Sequence, residues 1–140
     1  MSFLLDTNIV SDLRRGGRAH PALVEWFDAQ PPRALFLSVV TLGEIRQGIE
    51  QLRERDGRQA AALDRWLTGL IQFYEDRLLD VDGEVAEEWG RLRARRSAPV
   101  VDALLAATAL VHNLTLVTRN ARDFAGLSVR VFNPFAGSEG

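Results

Sequence analysis

Asp6, Glu44, Asp102 and Asp123 are the residues whose type and placing in this sequence could do chemistry. Asp102 sits near the start of Val100-Val-Asp-Ala-Leu-Leu-Ala-Ala-Thr-Ala-Leu-Val111, a run apolar on nearly every side. A helix of that composition is a buried helix. A charge within it is costly unless it is paired or binds a cation. Asp6 follows the apolar run Phe3-Leu4-Leu5 and is itself followed by Thr7 and Asn8. Asp123 trails the apolar run Leu114–Val117, which leads into Thr118, Asn120 and then Asp123. Glu44 lies three residues after Thr41. Each acid also has an ordinary explanation. Asp, Thr and Asn are good helix N-caps, and Thr41-x-x-Glu44 matches a capping box, which alone would account for Glu44. Four carboxylates gathered in one pocket would repel strongly, and a hard divalent cation resolves that repulsion. All-oxygen ligation suits Mg²⁺ or Mn²⁺ rather than zinc or copper. Such an ion lowers the pKa of bound water and stabilises charge on a phosphoryl oxygen. Metal-assisted phosphodiester hydrolysis is the chemistry this pattern leads to expect.

The elements that must position these groups follow from hydrophobic patterning. Short apolar strands are expected at Phe3–Leu5, Leu35–Ser38, Leu78–Val81, Leu114–Val117 and Val129–Phe132. Helical spacing of apolar residues separates them. Helices are expected after Asp6, from Pro21 to the Pro31-Pro32 pair, through Leu42, Ile45 and Ile49, from Ala60 to about Tyr74, from Asp82, and from Val100 to Val111. Strands alternating with helices predict an α/β fold, a single domain with a central, mainly parallel five-stranded sheet flanked by helices. Right-handed crossovers then gather the carboxyl ends of the strands on one edge, where open α/β sheets build their sites. The domain is expected over residues 1–135, with 136–140 as a C-terminal tail.

Composition narrows the chemistry. The chain has no cysteine, so thiolate nucleophiles and zinc–thiolate sites are excluded. All 17 basic residues are arginine, which excludes any mechanism needing a catalytic lysine. Receiver domains and aspartyl phosphatases carry such a lysine, and the second acid that those phosphatases show two residues after the first is here Asn8. Neither a Gly-x-x-x-x-Gly-Lys loop nor a Gly-x-Gly-x-x-Gly turn occurs, so nucleotide-binding P-loops and dinucleotide folds have no support. A net charge of -2 argues against a strongly basic nucleic-acid-binding surface but not against local patches. Arg14 and Arg15, the group Arg91, Arg93, Arg95 and Arg96, and Arg119 are the candidates for phosphate contact. As isolated residues they read equally as solvated surface. The opening residues have no signal-peptide character, and no segment reaches the ~20 apolar residues of a membrane span. A cytoplasmic protein is expected, with no membrane partner.

Leu5-Asp6-Thr7-Asn8, Ser38-x-x-Thr41-x-Gly43-Glu44-Ile45, Asp102-Ala-Leu-Leu-Ala-Ala-Thr-Ala, Leu116-Val-Thr118-Arg-Asn120-x-x-Asp123-Phe124 and the closing Asn133-Pro134 together resemble the PIN-domain ribonucleases. The likeness is to the VapC toxins of bacterial toxin–antitoxin systems, in particular the FitB-like branch. It runs over about residues 3–135, with no departure at an acidic position. The resemblance implies that Asp6, Glu44, Asp102 and Asp123 form an acidic pocket for one or two Mg²⁺ or Mn²⁺ ions. Thr118 and Asn120 would support the carboxylates or the metal-bound water, and Asn8 would orient the turn around Asp6. The implied activity is endonucleolytic cleavage of RNA by metal-activated water. The implied partners are a VapB/FitA-like antitoxin, a second copy in a homodimer, and a larger toxin–antitoxin assembly that meets operator DNA only through the antitoxin. Two other readings remain open. One is a catalytically silent PIN-like module that only binds a partner. The other is a metal-dependent phosphohydrolase of a small substrate, which would need a closed pocket where an RNA cutter needs an open groove.

Overall fold

The structure is a computed structural model and describes residues 1–135; the tail expected at 136–140 lies outside the described residues. Its elements in chain order are β1 (Phe3–Leu5), α1 (Thr7–Leu13), α2 (Pro21–Asp28), β2 (Leu35–Ser38), α3 (Val39–Arg53), α4 (Gly57–Phe73), β3 (Leu78–Leu79), α5 (Gly83–Arg95), α6 (Val100–Val111), β4 (Thr115–Val117) and β5 (Val131–Phe132). The strands form one sheet in the order β3-β2-β1-β4-β5. Every strand pair is parallel, so the sheet is wholly rather than mainly parallel. Three strands are shorter than the sequence suggests: pairing stops at Leu79 and begins only at Thr115 and Val131.

Alternation along β1 divides the core. Phe3 and Leu5 join one cluster with residues of α1 to α4, including Ile9, Leu23, Ile45 and Leu67. Leu4 points to the other face, among Val85, Leu92, Leu105, Ala106 and Leu116. A parallel sheet with helices on both faces buries every position of its central strand, and all three β1 residues are buried.

The expected bounds of α6 hold at both ends. Ala103, Ala106, Ala107 and Ala109 are fully buried, so α5 and α6 pack closely around small side chains. Just past the end of α6, Asn113 has a left-handed φ of 56°, and the N–H of Leu114 donates back to the Ala109 carbonyl at 2.8 Å. This is a helix stop that Asn tolerates better than most residues. The turn aims the chain straight into β4.

The helix start at α3 differs from expectation. Its cap is Ser38, whose hydroxyl accepts the N–H of Val40 at 3.0 Å. Thr41 is already inside the helix and fully buried. The sequence matches a capping box, but the helix begins three residues earlier, so Glu44 does not cap it.

Candidate active site

Strand order reverses on either side of β1. In open α/β sheets a ligand crevice forms at such a switch, outside the carboxyl ends of the strands. Asp6 leaves β1 at that point. Its backbone N–H donates to Val117 of β4 at 2.9 Å, which locks it beside the end of that strand. Its side chain is 8% exposed. Oδ1 accepts the Thr7 N–H at 2.7 Å, and Oδ2 accepts the Thr118 hydroxyl at 2.7 Å. Asn8 completes the frame. Its amide nitrogen lies 3.3 Å from Asp6 Oδ2 and 3.4 Å from Thr118 Oγ1. Its carbonyl oxygen accepts the Arg119 N–H at 3.2 Å. The supporting places expected of Asn8 and Thr118 are therefore matched by direct contacts with Asp6. Asn120 differs. Its backbone N–H donates to Thr118 Oγ1 at 3.0 Å, but its side chain makes no hydrogen bond among the described residues.

Glu44 reaches the same crevice from the second turn of α3. Its carboxylate accepts the Thr7 hydroxyl at 2.5 Å, and that hydroxyl lies 3.1 Å from Thr41 Oγ1. Thr7 thus touches Asp6 through its backbone and Glu44 through its side chain. In the sequence alone Thr7 and Thr41 read as capping residues, and the one sign of more is that three oxygen-bearing side chains in a row, Asp6-Thr7-Asn8, exceed what one cap needs.

Asp102 is half-buried in the first turn of α6, and Asp123 is exposed in a short 3₁₀ turn, Ala121–Phe124. Burial pushes the Asp6 carboxyl above its ordinary value, against the pull of the Thr118 hydroxyl and the Thr7 N–H, and the charges of Glu44 and Asp123 add to the rise. Burial likewise raises Asp102, followed by repulsion from Asp6, Asp123 and Glu44. Contact geometry ties Asp6 to Glu44 through Thr7, and the charges of the other acids reach Asp6 and Asp102. Among the described residues no arginine pairs with any of them, although arginines pair elsewhere with Asp12, Glu50, Asp64, Asp76, Glu87 and Glu88.

An uncompensated all-oxygen set of this kind fits a hard divalent cation and not a soft one. As the side chains stand, no three acidic or imidazole groups converge closely enough among the described residues to hold one ion. The fit thus lies in the donor chemistry and the excess charge.

The arginines divide. Arg15 pairs with the nearly buried Asp12 at 3.1 Å. Arg119 stacks over Phe135 at 4.2 Å and lies 3.9 Å from Asp12. Arg93 donates to the Ala98 carbonyl at 3.2 Å and lies over Trp89. Arg96 lies across Gly126, where a Cβ would come within 2.7 Å of its guanidinium. Arg14 is exposed beside an apolar groove of about 300 Å³, between α1, α2 and α4, whose walls include Leu13, Phe27, Trp66, Leu70 and Phe73. Among these candidates, only Arg119 sits against the acidic crevice through contacts seen here.

The family model for the PIN domain matches residues 3–128. The chain belongs to the PIN-domain family. Toxin FitB of Neisseria gonorrhoeae is 30% identical over 94% of this chain and 97% of its own. The crystal structure of FitAcB from that organism matches this PIN domain with a TM-score of 0.87 at 30% identity, covering 95% of this chain and 98% of the other. The VapC ribonuclease Y4jK of Sinorhizobium fredii is 29% identical over 94% of this chain and 96% of its own. A toxin–antitoxin complex from Klebsiella pneumoniae contains a chain 30% identical, with a TM-score of 0.67 and coverage of 95% and 98%. No helix among the described residues of the PIN domain is long and apolar enough to cross a membrane.

Proposed function

We propose that this PIN domain is the toxin of a bacterial toxin–antitoxin pair and acts as a Mg²⁺- or Mn²⁺-dependent endoribonuclease. The observation that carries this reading is the acidic crevice at the switch point of the sheet, where Thr7, Asn8 and Thr118 clasp Asp6 and Thr7 ties Glu44 beside it, with no arginine partner for the acids among the described residues. The VapC ribonuclease and FitB toxin relatives point the same way. Asp6, Glu44, Asp102 and Asp123 would hold the ion, with some side chains rotating inward to reach it. A divalent ion bound there supplies an acidified water and neutralises charge on the phosphoryl oxygens. Thr118, Asn8 and the Thr7 N–H fix the Asp6 carboxylate, and the Thr7 hydroxyl fixes Glu44. These contacts hold Asp6 and Glu44 in place before substrate arrives, which limits reorganisation during the reaction.

The domain occupies residues 1–135, followed by the tail at 136–140, and works in the cytoplasm. Its antitoxin is of the VapB/FitA type. The apolar groove between α1, α2 and α4 suits an amphipathic segment of such a partner, because Phe73 is 57% exposed at its rim. Toxin dimers bound to antitoxin would form the larger assembly, with operator DNA contacted through the antitoxin. The exposed Asp123 and half-buried Asp102 favour an open cleft for a polymer over the closed pocket that a small substrate requires.

The test incubates antitoxin-free protein with total cellular RNA and Mn²⁺ or Mg²⁺, beside an Asp6→Asn protein prepared identically. Discrete, metal-dependent fragments lost in the variant support the nuclease. Equal cleavage by both proteins identifies a contaminating ribonuclease. Metal binding without cleavage by either protein favours the silent binding module.

A further inference from the structure

A second groove, of about 400 Å³, opens directly against Asp123. Its walls are Arg119, Asn120, Ala121, Arg122, Asp123 and Asn133. We propose that this groove seats one nucleotide of single-stranded RNA next to the phosphodiester at the acidic crevice, with Arg122 meeting a phosphate and the Asn120 amide meeting a base or ribose edge. The proposal rests on the ribonuclease reading above and adds the place where the substrate chain lies.

The volume falls within the range of small-ligand sites, about 300–1,000 Å³. Five of its six wall residues carry polar or charged side chains, unlike the walls of the apolar groove between α1, α2 and α4. The frame is held from several sides. The Arg119 N–H donates to Asn8, and its carbonyl accepts the Asn133 amide, both at 3.2 Å. Asn133 in turn accepts the Phe135 N–H at 2.9 Å. The Arg119 guanidinium is committed to Phe135 and lies near Asp12. Arg119 therefore builds the wall more than it offers a free charge.

Arg122 and Asn120 differ from Arg119 in one respect. Both are exposed, and neither side chain makes a hydrogen bond among the described residues. Arg122 also makes no ion pair or aromatic contact there. A polyanion approaching four carboxylates needs a cation alongside them, and Arg122 adjoins Asp123 in sequence. Asn120 presents a donor and an acceptor together, which matches the edge of an unstacked base or a 2′-hydroxyl. A hydrogen-bonded wall with two unspent polar groups, opening onto Asp123, is suited to a flexible single strand.

The experiment measures binding of a short, fluorescently labelled single-stranded RNA by anisotropy across a salt series. It uses the full chain carrying Asp6→Asn in Mg²⁺, so that the RNA is not consumed. Adding Arg122→Ala should weaken binding about fivefold and reduce the salt slope by about one. Arg122→Lys should restore most of both. Asn120→Ala should weaken binding without changing the salt slope, because it removes a neutral group. Arg65→Ala, at an exposed arginine of α4, should leave both unchanged. Unchanged binding and slope in Arg122→Ala would overturn the proposal, as would an equal loss in Arg65→Ala. RNA cleavage by the unaltered protein, together with normal binding by Arg122→Ala, sinks the groove but keeps the nuclease. Loss of binding in Arg122→Ala, without RNA cleavage by the unaltered protein, keeps the groove and sinks the nuclease.

Discussion

Thr7 shows how one small side chain couples two of the candidate acids. Its N–H holds Asp6 and its hydroxyl holds Glu44, so the turn after β1 sets both carboxylates at once. Thr7→Val keeps the shape of the side chain and removes the hydroxyl. We expect it to lower Mn²⁺ affinity, read by calorimetry, by about 10–100-fold, the usual scale for losing a group that orients a ligand. Thr7→Ser should retain most of the affinity. Glu44→Gln should cut RNA cleavage far more than stability; intact cleavage would return Glu44 to a structural role. Asp102→Asn should abolish cleavage yet raise the melting temperature of the metal-free protein at neutral pH. The sign follows from the raised pKa of Asp102. A carboxyl whose folded pKa exceeds its unfolded value disfavours the fold once ionised. The gain should therefore fade as pH falls through the folded pKa and be gone below the unfolded one, where the carboxyl is neutral in both states. Thermal melts across pH check this.

Among the elements, the two ends of α1 and the start of α3 carry the geometry. Ser38→Ala should cost about 1 kcal/mol in denaturant unfolding, because Ser38 caps α3. Asp12 closes the far end of α1. It accepts the His20 N–H at 3.0 Å and the Arg15 guanidinium at 3.1 Å, with Arg119 3.9 Å away. Burial alone would raise its carboxyl, but the His20 N–H, Arg15 and Arg119 outweigh that and hold it below its ordinary value of 3.8. A lowered folded pKa contributes stability above the unfolded pKa, lost as pH falls through the folded one. Asp12→Asn should thus cost about 1–2 kcal/mol at pH 7, with the difference disappearing in strong acid. Most of these elements were legible in the sequence. The bounds of α6 follow from its unbroken apolar run, and the starts of α2 and α5 follow from Pro21 and Asp82. The start of α3 was not, because Ser38 and Thr41 are both good caps. Packing chose between them by burying Thr41 against Thr7.

At the scale of the whole molecule, two surfaces differ in character. The face formed by α1, α2 and α4 is apolar with an exposed Phe73, and the face at the strand ends is polar and charged. Phe73→Asp should break the complex with co-expressed antitoxin, read by size-exclusion chromatography, while RNA cleavage persists. Joint loss of both would mean that the two faces are not independent. The sequence by itself determined the alternating α/β plan, the buried helix with its lone carboxylate, and the exclusion of thiolate and catalytic-lysine chemistry. These are local matters of periodicity and composition. Only the tertiary structure decided that Thr7 bonds Glu44, that Asn8 and Thr118 clasp Asp6, and that most of the candidate arginines are engaged by internal partners. The physical reason is sequence separation. The Thr118–Asp6 bond spans 112 residues, and no local propensity encodes a contact that exists only once β1 and β4 lie side by side.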